Sequence, residues 1–464
     1  MKRLLTIIAV LTVITTAATA QTVSGPKEVQ LTVYNGNFAL VKDTRTVTLN
    51  QGTNSIEVED VAALIDPTSI LIRSLSNSGS FSILEQNYQY DLINPENILN
   101  KSVGQRVTFT IFDESGKQYT QSGILLSPVS NGGVVIKTDD GNVVLSPQGQ
   151  VSLVKMPEGL RPRPTLNWLL RSSKSGSQQA EISYMTDGIG WKADYVVLVN
   201  KNDTALDLNG WVTLNNQCGT TYNDAKLTLM AGDVKRAQDK IYGAAKKRAY
   251  SPAQVLTEAE TAPQFEEKSF FEYHMYTMER PTTIRNNETK QLSLLNAANT
   301  KVTKELIYDP QDNTNYHKIN VVLQLMNSKE NNMGMPLPAG KIRVYKLDDQ
   351  GAQQFIGEDM IDHTPKDEKI RLNIGDAFDV VGDNKRTDYQ KISDNVVEES
   401  FEVTVRNHKD SPVEVNVIEH AYSTWRVVKS SSGYNKKDAQ TIVFPVKVPA
   451  NGETTITYTI RTSW

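Results

Sequence analysis

The sequence predicts an all-β, multi-domain protein with little helix, in which a small SH3- or Sm-like β-barrel precedes antiparallel, Ig-like β-sandwich domains. Apolar and polar residues alternate at 401–405, 413–417 and 456–460, the period at which strand side chains return to one face. Turn residues, among them Asn451-Gly452, separate these runs. Short alternating strands with turns between them are typical of an antiparallel sandwich.

The first twenty residues have the pattern of a secretory signal peptide. Lys2 and Arg3 precede an apolar run over 4–14, and Ala18-Thr19-Ala20 supplies small residues where a signal peptidase cleaves. We therefore expect cleavage after Ala20 and a protein exported to the periplasm or the extracellular space. No cysteine stands at that position, so we do not expect a lipoprotein.

Two β units are predicted before residue 157. In the N-terminal unit, 21–93, an Asn35-Gly36 turn between alternating runs indicates a hairpin. In the second unit, 94–156, Asn94 can cap a helix that begins with a proline, and about five short strand-like runs follow. This pattern predicts the small barrel, which we interpret as a scaffold because export would separate it from RNA.

The rest of the chain divides into three predicted parts. Residues 157–179 form a linker, because the Arg-Pro-Arg-Pro run at 161–164 favours extended backbone. Residues 180–394 form a β-sandwich domain, and 395–464 form its C-terminal portion. Large apolar residues are rare over 233–268, which we interpret as a flexible insertion.

Composition excludes several classes of protein. The formal net charge is −4, whereas a general nucleic-acid-binding protein is normally basic. Cys218 is the single cysteine, so no intramolecular disulfide can form. No segment after the signal peptide is apolar enough for a transmembrane helix.

One polar stretch has side chains that could bind a divalent metal ion. It offers an imidazole and several carboxylates, the ligands that Zn²⁺ accepts: Glu358, Asp362, His363, Asp367 and Glu368. Adjacent strand residues point to opposite faces, so Asp362 and His363 could share an ion only in a loop. A polar turn whose side chains bond the backbone is the interpretation we favour.

Four aromatic residues follow the predicted insertion: Phe270, Phe271, Tyr273 and Tyr276. They could form a surface that stacks on carbohydrate or docks a protein. They could equally pack into the core, since they lead into a predicted strand.

Four ordered blocks carry a resemblance to a known family. They lie at 191–195, 210–232, 271–283 and 335–368, and include Trp191-Lys192-Ala193-Asp194-Tyr195 and Met335-Pro336-Leu337-Pro338-Ala339-Gly340. Over about 180–464 the chain resembles the bacterial "domain of unknown function 4139" family, also labelled mucoidy-inhibitor-like. The resemblance implies an exported, β-rich protein without an assigned activity. Cys218 stands where that family more often has a small hydroxyl residue, which argues against a catalytic thiol.

These observations predict a cell-envelope protein that is a binding or structural module and not an enzyme. Its partner would be an envelope protein or a surface polysaccharide. Standard hydrolase and phosphate-binding motifs are absent from the sequence, and we predict no catalytic residues and no cofactor. The alternative is a metal-assisted surface hydrolase centred on Asp362 and His363.

Overall fold

The computed structural model describes residues 21–464 except 24, 77–78, 113–115, 131–132, 146–149, 237–263 and 312–316. The predicted signal peptide and most of the predicted insertion therefore lie outside the described residues. Strands make up 66% of the described residues and helices 3%, which confirms the all-β, multi-domain prediction.

The described residues form thirty strands, one α-helix and two 3-10 helices. The helices are α1 (Pro95–Lys101) and the 3-10 turns Pro67–Ser69 and Lys329–Asn331. The first fifteen strands are β1 (Gln21–Thr22), β2 (Glu28–Tyr34), β3 (Phe38–Leu49), β4 (Gly52–Val58), β5 (Leu71–Ser74), β6 (Phe81–Gln89), β7 (Arg106–Phe112), β8 (Gln118–Ser130), β9 (Gly133–Thr138), β10 (Val143–Leu145), β11 (Val151–Leu153), β12 (Thr165–Ser172), β13 (Gly176–Asp187), β14 (Ile189–Val199) and β15 (Ala205–Asn216). The others are β16 (Tyr222–Ala231), β17 (Phe265–Phe270), β18 (Tyr273–Met278), β19 (Thr282–Ile284), β20 (Glu288–Tyr308), β21 (Lys318–Met326), β22 (Gly340–Leu347), β23 (Gln353–Ile361), β24 (Lys369–Ser393), β25 (Val396–Asn407), β26 (Val413–His420), β27 (Thr424–Ser430), β28 (Asn435–Lys436), β29 (Thr441–Val448) and β30 (Gly452–Ser463).

The strands assemble into four sheets. The smallest has the order β1-β4-β12-β6, and a five-stranded sheet has the order β10-β9-β8-β7-β11. An eight-stranded sheet runs β17-β18-β16-β2-β3-β13-β5, with β19 paired to β16. The largest has thirteen strands and runs β23-β22-β14-β15-β20-β21-β24-β25-β30-β27, with β26, β28 and β29 attached beside this path.

The predicted small barrel is a helix followed by an antiparallel five-stranded sheet. The Asn94 side chain accepts a hydrogen bond from the Asn97 amide, which caps α1, and Pro95 is the first residue of the helix. The sheet packs on a small core that includes Phe109 and Ile136. Among the described residues β10 and β11 are not paired, so this sheet is open where the prediction had a barrel.

The region predicted as a linker, 157–179, contains a buried strand. β12 pairs with β4 on one side and β6 on the other, and its apolar residues Leu166, Trp168 and Leu170 lie in the main core. Arg161, within the Arg-Pro-Arg-Pro run, forms an isolated β-bridge with Leu92. The eight residues after the second proline, 165–172, alternate between buried and less buried positions along most of their length, which is typical of a strand.

The predicted boundary at residue 180 is not a boundary of the sheets. β2 and β3 belong to the same sheet as β13 and β16, and one core extends from Val23 to Leu372. β16 pairs with β2 in parallel, with Leu227 opposite Leu31. Parallel neighbours are distant in sequence, so local periodicity does not reveal them.

A second core lies toward the C-terminal end and is built from residues between Leu306 and Ile460. Two long strands run through both cores. β20 contributes Leu292 to the first core and Tyr308 to the second, and β24 contributes Leu372 and Val380 in the same way. The predicted division at 394 falls in the turn between β24 and β25. The boundary between the two cores instead lies within β20 and within β24.

Candidate functional site

The predicted metal-binding patch is spread over an edge strand and the loop after it. Glu358 lies on β23, where its carboxylate contacts the Lys341 ammonium at 3.0 Å and the Arg343 guanidinium at 3.5 Å. The Nδ1 atom of His363 accepts a hydrogen bond from the Ala339 amide at 3.2 Å. These contacts give Glu358 and His363 separate protein partners.

The other members of the patch also have local partners. The Asp362 carbonyl accepts a hydrogen bond from the Thr364 hydroxyl, and the Asp367 carboxylate pairs with Lys366. The Glu368 carbonyl accepts from the Asn327 amide. No three His, Cys, Asp or Glu side chains converge to hold a metal ion anywhere in the described part of the chain.

A buried asparagine that the sequence analysis missed organises this loop. The Asn327 side-chain amide donates to the carbonyls of Met335 at 2.8 Å and Pro365 at 2.9 Å. Its oxygen accepts from the Gly334 amide at 3.0 Å. An asparagine directly after a strand and before a Gly- and Pro-rich loop was the available signal. The Asn327 side chain thus holds the loop through hydrogen bonds to its backbone.

The four aromatic residues that follow the predicted insertion separate into core and surface. Tyr276 is buried, and its hydroxyl donates to the Pro336 carbonyl at 2.9 Å. Phe270 and Phe271 are 54% and 81% exposed at the tip of the β17–β18 hairpin. Tyr273 is half-buried, with its ring centroid 6.1 Å from that of Phe271. Core packing therefore accounts for Tyr276, whereas Phe270 and Phe271 are exposed, and their proposed docking role stays a prediction.

The turn at this tip has an unusual backbone. Phe271 has a φ of 56°, in the left-handed region, where a side chain costs about 1–2 kcal/mol relative to the right-handed one. Two-residue hairpin turns normally place glycine or asparagine at such a position. A bulky ring here is both strained and surrounded by solvent, so it contributes little to folding. We define Phe270, Phe271 and Tyr273 as the aromatic tip.

The hairpin that carries the aromatic tip is also an edge of the eight-stranded sheet. Within the described ranges β17 pairs only with β18, in a register that places Phe270 opposite Tyr273. On the other face of the hairpin the Glu267 carboxylate contacts the His274 Nδ1 atom at 2.7 Å. The tip is therefore an apolar projection on a polar, hydrogen-bonded base.

Cys218 has a structural position. It is buried in the main core, its thiol lies 3.5 Å from the Tyr222 hydroxyl, and burial raises the pKa of the thiol. A reactive cysteine needs the opposite, an accessible thiol with a lowered pKa.

The comparison with known families agrees with the resemblance seen in the sequence. The family described as "Domain of unknown function (DUF4139)" matches residues 180–464. The chain belongs to the DUF4139 family. No curated protein matches it. The DUF4139 region begins inside β13 and includes the aromatic tip, the Asn327 loop and the second core. Among the described residues no helix is long and apolar enough to span a membrane.

Proposed function

We propose that this DUF4139 protein is an exported, non-enzymatic component of the cell envelope that binds a protein partner through the aromatic tip. The observation that carries the proposal is Phe271, which is at once strained and 81% exposed. Backbone strain of this kind persists where surrounding structure enforces it, and it clusters at functional positions.

The apolar surface of the aromatic tip is available for binding, because folding leaves most of it exposed. Burying a phenylalanine side chain contributes about 1.5–3 kcal/mol, and at Phe270 and Phe271 most of that remains unused in the isolated chain. Aromatic side chains are enriched among the few residues that dominate protein–protein affinity.

Export is supported by the sequence alone. The basic pair Lys2-Arg3, the apolar run and the Ala18-Thr19-Ala20 site together form the signal pattern. An envelope protein is the partner we propose because two adjacent apolar rings suit an apolar pocket.

The test compares three chains expressed in the native host and crosslinked in living cells: wild type, Phe271→Asn and the control Phe378→Asn. Phe378 is 94% exposed on β24, far along the chain from the hairpin. We expect one protein to co-purify with wild type and control, and to bind Phe271→Asn about thirtyfold more weakly, as for loss of a hot spot of about 2 kcal/mol.

Thermal unfolding separates binding from folding in the same variants. Asparagine tolerates the left-handed region, so Phe271→Asn should be as stable as wild type or about 1 kcal/mol more stable. Equal recovery of the partner with Phe271→Asn would contradict the role of the tip. Recovery of a polysaccharide instead of a protein would contradict the class of partner.

A further inference from the structure

A buried carboxyl group lies in the second core, away from the aromatic tip. Glu419, on β26, is 3% exposed. The Tyr458 hydroxyl lies 2.6 Å from its Oε2 atom and donates to it, and Gln311 donates from Nε2 to its Oε1 atom at 3.1 Å. In the described part of the chain both of these hydrogen-bond partners are neutral, which leaves an ionised Glu419 without a direct counter-charge.

Titratable groups from three neighbouring segments act on this carboxyl: His420 on β26, Asp309 directly after β20, and Glu399 on β25. The His420 Nε2 atom lies 2.8 Å from the Asp309 carboxylate, and Glu399 pairs with Arg386 on β24. The pKa of Glu419 is raised to about 7, and burial is the largest cause. That value already includes the lowering effects of the Tyr458 hydrogen bond and the His420 charge and the raising effects of the Glu399 and Asp309 carboxylates.

Gln311 joins this carboxyl to the surface. Its Nε2 atom also donates to the His420 carbonyl at 3.3 Å, and its Oε1 atom accepts from the Tyr422 hydroxyl at 3.4 Å. Gln311 itself is exposed and follows β20, so one side chain fastens the segment after that strand to the end of β26. We define Gln311, Glu419 and Tyr458 as the clamp.

We propose that Glu419 is a proton-binding site that controls the clamp, holding 309–311 on β26 when protonated and releasing that segment when ionised. The protonated carboxyl can donate from Oε2 to the Tyr458 oxygen and still accept from Gln311 at Oε1, so it keeps both hydrogen-bond partners without a buried charge. Ionisation leaves a charge in a buried site, and its desolvation cost is relieved if the segment opens to water. This regulation is independent of the proposed binding role.

The size of the effect follows from linkage. Opening returns the Glu419 pKa from about 7 to its ordinary value near 4.5, so the open population should rise about tenfold between pH 6 and pH 8. Amide hydrogen exchange in peptides covering 305–311 and 413–421, corrected for the intrinsic effect of pH on exchange, measures this population.

Three variants of the full chain make the test specific. Glu419→Gln should lose the pH dependence, because glutamine mimics the protonated carboxyl and cannot ionise. Glu414→Gln, at an exposed site on the same strand, should keep it. Tyr458→Phe removes the bond that lowers the Glu419 pKa, so the midpoint of opening should move to higher pH.

Two results would overturn the proposal. One is an unchanged tenfold response in Glu419→Gln, which would assign the proton to another group such as His420. The other is wild-type exchange in these peptides that does not vary with pH. Because Glu419→Gln keeps the size and hydrogen bonds of the protonated side chain, loss of folding does not obscure either result.

Discussion

Replacing Arg45 by methionine should destabilise the protein strongly at neutral pH and less in acid. Arg45 and Asp43 form an ion pair of 2.7 Å inside the main core, with 1% and 6% of their side chains exposed. Arg45 also donates a hydrogen bond to the Glu59 carbonyl at 3.0 Å. Burial raises the pKa of Asp43 and the Arg45 charge lowers it, so removing that charge leaves burial to act alone.

Protonation of Asp43 sets an upper limit on the electrostatic loss. A carboxyl with an ordinary pKa of 3.8 costs about 4 kcal/mol to protonate at pH 7, and about 2 kcal/mol at pH 5. The folded variant binds this proton more tightly than the unfolded chain, so its stability rises as the pH falls. The lost bond to Glu59 adds about 1 kcal/mol at both values.

Urea unfolding at pH 7 and pH 5 measures both effects, with the fluorescence of Trp168, which lies in the same core, as the probe. Arg73→Met is the matched control. Its partner Glu181 lies at 2.8 Å, but the Arg73 side chain is mostly exposed, so we expect a much smaller loss than for Arg45→Met.

The double variant Asp43→Leu/Arg45→Met tests whether the loss of stability comes from the unpaired charge of Asp43. Buried ion pairs replaced by apolar side chains are often neutral or stabilising, so the double variant should recover most of the loss. Three results would contradict this explanation. Arg45→Met could be as stable as wild type, or its loss in the free energy of unfolding could be the same at pH 7 and pH 5. The third is a double variant that is no more stable than Arg45→Met.

Two further predictions concern the packing around a buried glycine and the loop near the predicted metal-binding patch. Gly340→Ala should cost about 3 kcal/mol, because the added Cβ would lie 2.3 Å from the Ala193 carbonyl oxygen on the paired strand. Gly433→Ala is its control, with open space around the new methyl group, and equal melting temperatures for the two would refute the clash. Asn327→Ala removes three buried hydrogen bonds and should lower the free energy of unfolding by about 3 kcal/mol. Thermal unfolding checks it, and a loss below about 1 kcal/mol would show that water replaces the amide.

Some buried polar residues could have been found from the sequence. Asp43 and Arg45 follow the phase of Val41, Val47 and Leu49 along β3, and all five are buried. Glu419 follows the phase of Val415 and Val417 on β26 in the same way. A charged residue in the apolar phase of a strand points into the core, and the period-two pattern already contained that information.

The exposure of the aromatic tip could not be found in this way. Tyr276 is buried and Phe270 is exposed, although both lie in one short hairpin. Their difference depends on where β16 ends and on β17 being an edge, which are properties of the assembled sheet. The predicted metal-binding patch is the reverse case. Its residues are close in sequence, which suggested that their side chains converge, but Glu358 and His363 bond to separate partners.

The sequence by itself determined the all-β class and the strands of the C-terminal sandwich. Apolar and polar residues alternate along those strands, and β24 and β25 are antiparallel neighbours joined by the short turn at 394–395. The tertiary structure decided the pairing of β2 with β16, the burial of β12 and the division into two cores. Alternation specifies which face of a strand is apolar. The elements that pack against that face lie far along the chain, so the pairing is decided only when the shared core assembles.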